Sequence, residues 1–168
     1  MATVNIPILE GSNPDTSGNV WQEPFGITST NGFFNPRLWR FKNSGSVKIV
    51  LHVVFQVPQD YHSTTNPTVQ LVWTAQATTG NVEWTVEYRD VATSASLDQA
   101  TAQETVSGTA AAPAANNDAV ATSITLTGTN LTAGDTVEMR LSRDKSSASD
   151  TMAADALLFL AMFSYANA

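Results

Sequence analysis

Few side chains in this sequence are suited to chemistry. It has two histidines, His52 and His62, and no cysteine. The lack of cysteine excludes thiol nucleophiles, disulfides, thiolate zinc sites and iron–sulfur clusters. His62 stands in the run Asp60-Tyr61-His62-Ser63, where an acid, a base and a hydroxyl are close in sequence. A Ser–His–Asp triad is defined by geometry rather than by chain order, so order alone does not forbid one. The Gly-x-Ser-x-Gly turn that presents a serine nucleophile is missing, however. His52 falls on the polar side of an alternating segment and reads as a surface or interface residue. Asp144, Asp150 and Asp155 flank one segment and offer the hard oxygens that calcium prefers. Their spacing is not that of an EF-hand loop, and short polar side chains in loops ordinarily cap turns. Glu83 and Glu87 share one side of a segment with Thr85 between them. Paired carboxylates can hydrolyse glycosides, but the acid of such a pair needs a desolvated site, and nothing in the flanking residues provides one. They read as solvated charges. The expectation is a protein that is not an enzyme and holds no metal or cofactor.

One cluster suggests binding instead. Phe33, Phe34, Arg37, Trp39, Arg40, Phe41 and Lys42 crowd aromatics and cations together. Aromatics with arginine are the composition of interface hot spots. The same composition suits a platform for single-stranded nucleic acid, or an edge strand packed on the core. The rest of the chain opposes the nucleic-acid reading. The formal net charge is -7 and the isoelectric point is near 4.5. No lysine or arginine occurs between Asp90 and Met139, whereas phosphate binding needs clustered cations. The longest apolar run, Ala156 to Phe163, is far short of the ~20 residues of a membrane helix. The first seven residues, Met1 to Pro7, have neither the basic nor the apolar part of a secretory signal. Nucleic acid and membrane are therefore not expected partners, and synthesis in a cytoplasm without standard export is expected.

The elements that must carry these residues read as strands. Residues 1–45 are punctuated by Pro7, Pro14, Pro24 and Pro36 and by Gly11, Gly18, Gly26 and Gly32, yet hold many aromatics. They are expected to form an irregular N-terminal arm that packs on its own domain or on a neighbour. Residues 46–168 form the domain proper. In Ser46 to Val57, Val47, Ile49, Leu51, Val53, Phe55 and Val57 alternate with Lys48, Val50, His52, Val54 and Gln56, a period-two strand signal. Val69 to Thr78 and Val82 to Val91 make a hairpin around Thr79-Gly80-Asn81, with Trp73 and Trp84 inward. A short strand is expected within Leu97 to Val106, and a long loop over Ser107 to Asp118. Val120 to Leu126 and Thr136 to Arg143 follow as strands, with Val137, Met139 and Leu141 inward. Asp155 to Tyr165 is apolar on both faces, which marks a central strand or a subunit contact. The fold class is all-β, an antiparallel β-sandwich, with the jelly roll as the variant that protects its edges.

The order of Val57-Pro58-Gln59-Asp60-Tyr61, the Val69–Ala75 and Thr79–Arg89 runs, Leu131-Thr132-Ala133-Gly134-Asp135 and the Phe163-Ser164-Tyr165 ending resembles a jelly-roll module of tailed-bacteriophage virion proteins, of the capsid decoration or cement type. The likeness spans about residues 40 to 165 as a pattern of strands and turns. It implies a structural part on the outer surface of a capsid, bound to the major capsid protein and to itself as a trimer or dimer. It brings no catalytic residues. The interface candidates are Phe33, Phe34, Arg37, Trp39, Arg40, Phe41, Leu157, Phe159 and Phe163. A tail, neck or fibre-tip component, binding a receptor or carbohydrate, is the alternative on the same fold.

Overall fold

In the computed structural model, residues 1–8, 38–43 and 48–168 are described. The strands are β1 (Ala2–Ile6), β2 (Trp39–Phe41), β3 (Lys48–Gln56), β4 (Thr68–Ala75), β5 (Asn81–Val91), β6 (Glu104–Ala111), β7 (Val120–Thr125), β8 (Thr136–Asp144) and β9 (Ala156–Tyr165). One short 3-10 turn, Gly128–Asn130, interrupts them. The strands form two antiparallel sheets. The first runs β1-β9-β4-β7, with β2 also on β9; the second runs β3-β8-β5-β6. Chain neighbours from β3 to β9 thus alternate between sheets, except at the β5–β6 hairpin. That is the jelly-roll arrangement, in which two four-stranded sheets share one core.

The period-two pattern sets which residues fill that core. Leu71, Trp73, Val82, Trp84, Val86, Leu141 and Phe163 are completely or almost completely buried. Trp84 makes edge contacts with Trp73 and with Phe41, at centroid distances of 5.7 and 5.0 Å. The Trp73 indole N–H donates to Thr122 Oγ1 at 2.9 Å, so one large apolar ring is buried without losing its donor. The turn at Gly80 sits at φ +88, and a Cβ there would lie 2.7 Å from the Met152 backbone. Only glycine meets both demands.

Four expectations change. The strands on either side of Thr79-Gly80-Asn81 form no hairpin: β4 pairs with β7 and β9 in the first sheet and β5 with β6 and β8 in the second, so this turn crosses between the sheets. Residues 2–6 and 39–41, placed in the arm, are strands: β1 pairs with Ala161–Tyr165 and β2 with Ala156–Leu158, end to end along one edge of β9. The strand expected before residue 107 begins at Glu104 and runs to Ala111, into what reads as a loop. Ser107, Gly108, Ala110 and Ala111 lack the β-branched signature because β6 is an edge strand packed closely on its neighbours. A Cβ on Gly108 would meet Ile124 at 3.3 Å. Glu87 is no solvated charge, being mostly buried and paired with Lys48 at 3.0 Å and Arg140 at 3.7 Å. The doubly apolar β9 is a central strand, flanked by β4 on one side and by β1 and β2 on the other.

Candidate interaction surface

The two sheets turn very different faces outward. Residues β1 (ATVNI), β4 (TVQLVWTA), β7 (VATSIT) and β9 (ALLFLAMFSY) contain no charged residue and no histidine. The one charge of the first sheet is Arg40 on β2, whose Nε donates to Asp155 Oδ2 at 2.5 Å. Strand register builds the outer face in rows. Leu160, Val72 and Ala121 lie side by side across β9, β4 and β7. The next row is Asn5, Met162, Gln70 and Ser123, and the next Thr3, Ser164, Thr68 and Thr125. The centre is apolar and half-buried, and the flanks are uncharged and polar.

Phe159 belongs to this face. Leu158 pairs with Trp73 and Leu160 with Val72, so Phe159 is an extra residue in β9, a β-bulge. Before the bulge the core positions are Ala156 and Leu158; after it they are Ala161, Phe163 and Tyr165. The change of parity lets β9 stay buried on its inner side while the Phe159 ring turns out, 39% exposed. Bulges commonly re-aim a side chain in this way.

The outer face of the second sheet is charged. His52, Arg140, Glu87 and Thr105 form one row, and Val54, Glu138 and Arg89 the next. An open groove of ≈ 600 Å³ runs over these rows beneath residues 97–102, with Leu97 and Asp98 on its rim. Acids and bases alternate along it and neutralise one another locally, as the Glu87 pairs illustrate.

A second charged group lies inside. Arg143 and Asp150 have no exposed side-chain surface. The Arg143 Nε and Nη2 donate to the two Asp150 oxygens at 2.7 and 2.8 Å. Its remaining donors reach the carbonyls of Ala154, Met152 and Phe41. Lys145 Nζ also donates to Asp150 Oδ1, at 3.2 Å. Burial alone would raise the Asp150 pKa, but the Arg143 hydrogen bonds and charge, with Glu83 N–H and Lys145, hold it below the ordinary 3.8. Every oxygen and nearly every donor is used, so the group locks the β8–β9 loop to both sheets rather than meeting a ligand. At the far edge, Glu104 accepts from the Tyr88 hydroxyl and from Thr127 N–H and Oγ1. Burial and this carboxylate push the Tyr88 phenol well above its ordinary pKa.

The residues singled out in the sequence separate accordingly. Trp39, Phe41 and Phe163 are buried in the core of the chain itself, because β2 and β9 turn them between the sheets. Leu157 is buried opposite Arg40 on the outer side. Phe159 is the candidate turned to solvent, and Phe33, Phe34 and Arg37 lie outside the described residues. Asp144, Asp150 and Asp155 do not converge: Asp144 caps Ser146, Asp150 holds Arg143, and Asp155 holds Arg40. Among the described residues no three acidic or histidine side chains gather as a metal site. His62 Nδ1 contacts Thr64 Oγ1 at 2.6 Å on an exposed loop. Leu160 and Met162 belong to the run Asp155 to Tyr165 that reads as a central strand or a subunit contact, whereas Val72 escaped notice, although the absence of charge from its strand was visible.

No protein-family model matches the chain, and no curated protein matches it. Solved structures align with the chain at low identity. A family 30 carbohydrate-binding module aligns over 98% of this chain and 99% of its own, at 9% identity and a TM-score of 0.47. An arabinose-bound α-L-arabinofuranosidase aligns over 96% of this chain at 10% identity and a TM-score of 0.47, and the chain spans 23% of that enzyme's length. A chain of infectious bursal disease virus, Gt strain, aligns over 76% of this chain and 31% of its own, at 9% identity and a TM-score of 0.38. The strand order, rather than these distant likenesses, establishes the jelly roll.

Proposed function

We propose that this chain is a structural subunit of a tailed-bacteriophage particle, a decoration or cement protein that coats the outside of the capsid and stabilises the shell of major capsid protein. The observation that supports this reading is the division of charge between the two sheets. Interface cores are depleted in charge and enriched in aromatic residues and methionine, which describes the β1-β9-β4-β7 face with Phe159 and Met162. A charged, net-acidic opposite face suits the solvent side of a particle, where it preserves solubility and repels nucleic acid. The work is mechanical: many modest contacts repeated over a shell act together, and neither cofactor nor catalysis is required. The chain is made in the bacterial cytoplasm and ends on the outer capsid surface.

Co-sedimentation tests the proposal. Heads purified from a lysate deleted for this gene are mixed with the pure chain and pelleted. The chain should pellet with the heads and saturate at a fixed ratio to the major capsid protein. Recovery only in the supernatant would overturn the coat role. Saturation at a few copies per particle would instead point to a tail or neck position.

A further inference from the structure

We infer that the neutral face of the five-stranded sheet is a self-association surface, on which a second copy of this chain packs sheet against sheet about a two-fold axis. The inference deepens the coat reading, because it assigns an occupant to the same face.

Charge selects that occupant. In a two-fold contact the same patch serves both copies, so every group on it must be buried twice. Two copies joined through the second sheet would have to take Glu87, Glu138, Arg89 and Arg140 out of water, a cost that close pairing across the axis must first offset. The copies also repel as wholes, each with a formal net charge of -7. On the first sheet the β1, β9, β4 and β7 strands of two acidic chains can meet with no charge between them, Arg40 lying at the β2 end in its pair with Asp155. Phe159, Leu160, Met162 and Val72 form an apolar centre, while serines, threonines and amides form a rim able to make hydrogen bonds. That is the anatomy of a specific interface, an apolar core within a polar border.

The dimensions are sufficient. Strands β1, β9, β4 and β7 at ~4.8 Å spacing span ~19 Å, and the 8 residues of β4 at ~3.3 Å each span ~26 Å. The plane is therefore ~500 Å² per copy, and two copies bury ~1,000 Å² before side-chain relief is added, which reaches the threshold for a specific contact. The register shift at the bulge leaves the Phe159 ring exposed on this face, where an opposing sheet can cover it. Face-to-face sheets pack ~10 Å apart with side chains interdigitated, as the two sheets of this chain already do.

Light scattering of the pure chain without capsids tests the contact apart from the coat role. The wild type at tens of micromolar should have twice the 17.9 kDa chain mass. Phe159→Asp should halve the observed mass, and so should Ser123→Asp, an exposed edge position whose substitution leaves the core untouched. Val54→Asp, on the charged sheet, should leave the mass unchanged. Circular dichroism should show the same sheet signal in all four proteins. A wild type of single-chain mass would overturn the inference and leave the face to a different protein. So would a dimer that survives both neutral-face substitutions, whereas failure to bind heads by an intact dimer would count against the coat role alone.

Discussion

At the scale of single residues, the Arg143–Asp150 pair is the most exacting feature of the chain. A guanidinium with no exposed atom is tolerable only because its donors are matched by a carboxylate and three carbonyls. Removing one partner leaves an uncompensated buried charge, which typically costs about 3–5 kcal/mol. Asp150→Asn is therefore expected to lower unfolding stability by about that amount, measurable as a shift in the urea midpoint. The pH dependence has a definite sign. The folded-state pKa of Asp150 lies below 3.8, so its contribution is complete above 3.8 and disappears as pH falls through the lower, folded value. The stability gap between wild type and Asp150→Asn should be constant near neutrality and narrow in strong acid; a gap independent of pH would mean that the carboxylate charge is not what holds the loop. Arg143 was half legible in the sequence. It shares the parity of Val137, Met139 and Leu141, which places it inward. Its charge argued outward, and only the return of the chain seven residues later brings Asp150 to meet it.

At the scale of elements, alternation identified β3, β4, β5, β7 and β8, because each has one polar and one apolar side. On β9 the sequence showed the strand and its central place but not its parity, and on β6 alternation failed altogether. Strand β9 is apolar on both sides, so nothing in its sequence marks the parity change at Phe159. Strand β6 is built of small residues that pack where larger ones would not fit, and small polar residues also make loops. The β1 pairing was hidden because a short edge strand carries too few residues to show a period, whereas β2 matches the edge strand packed on the core that its aromatic cluster allowed. The turn was legible from Thr79-Gly80-Asn81, but it carries the chain from one sheet to the other instead of closing a hairpin, and it yields a sharp prediction. Gly80→Ala must adopt a left-handed backbone and push on the Met152 backbone; where φ is unsuited to alanine the loss exceeds about 1 kcal/mol. Thermal unfolding should detect it as a lower midpoint. An unchanged midpoint would show that the β8–β9 loop moves aside without cost. A second element-scale prediction concerns Trp73. Thr122→Val removes the acceptor of a buried indole N–H, and an unsatisfied buried donor costs about 1–3 kcal/mol. Chemical denaturation should show the loss, while Ser123→Asp, one residue on and facing outward, should leave stability nearly unchanged.

At the scale of the whole molecule, the jelly roll divides into a neutral sheet and a charged one. That division was present in the sequence, since four strands lack every charged residue, but it became a surface only when strand order placed those four strands together. Salt dependence follows from it. Self-association through the neutral sheet joins no opposite charges, and salt screens only the repulsion between acidic chains. Between about 0.1 M and about 1 M salt, over which the screening length falls from ~10 to ~3 Å, dimerisation should hold or strengthen, as analytical ultracentrifugation would measure. Weakening would place the contact on the charged sheet. The most direct measurement of the account is cryo-microscopy of gene-deleted heads after incubation with the chain. The account predicts added jelly-roll density on the outer capsid surface, with the β1-β9-β4-β7 sheet against a protein neighbour and the β3-β8-β5-β6 sheet towards solvent. Heads that gain no density, or density that docks through the charged sheet, would contradict it.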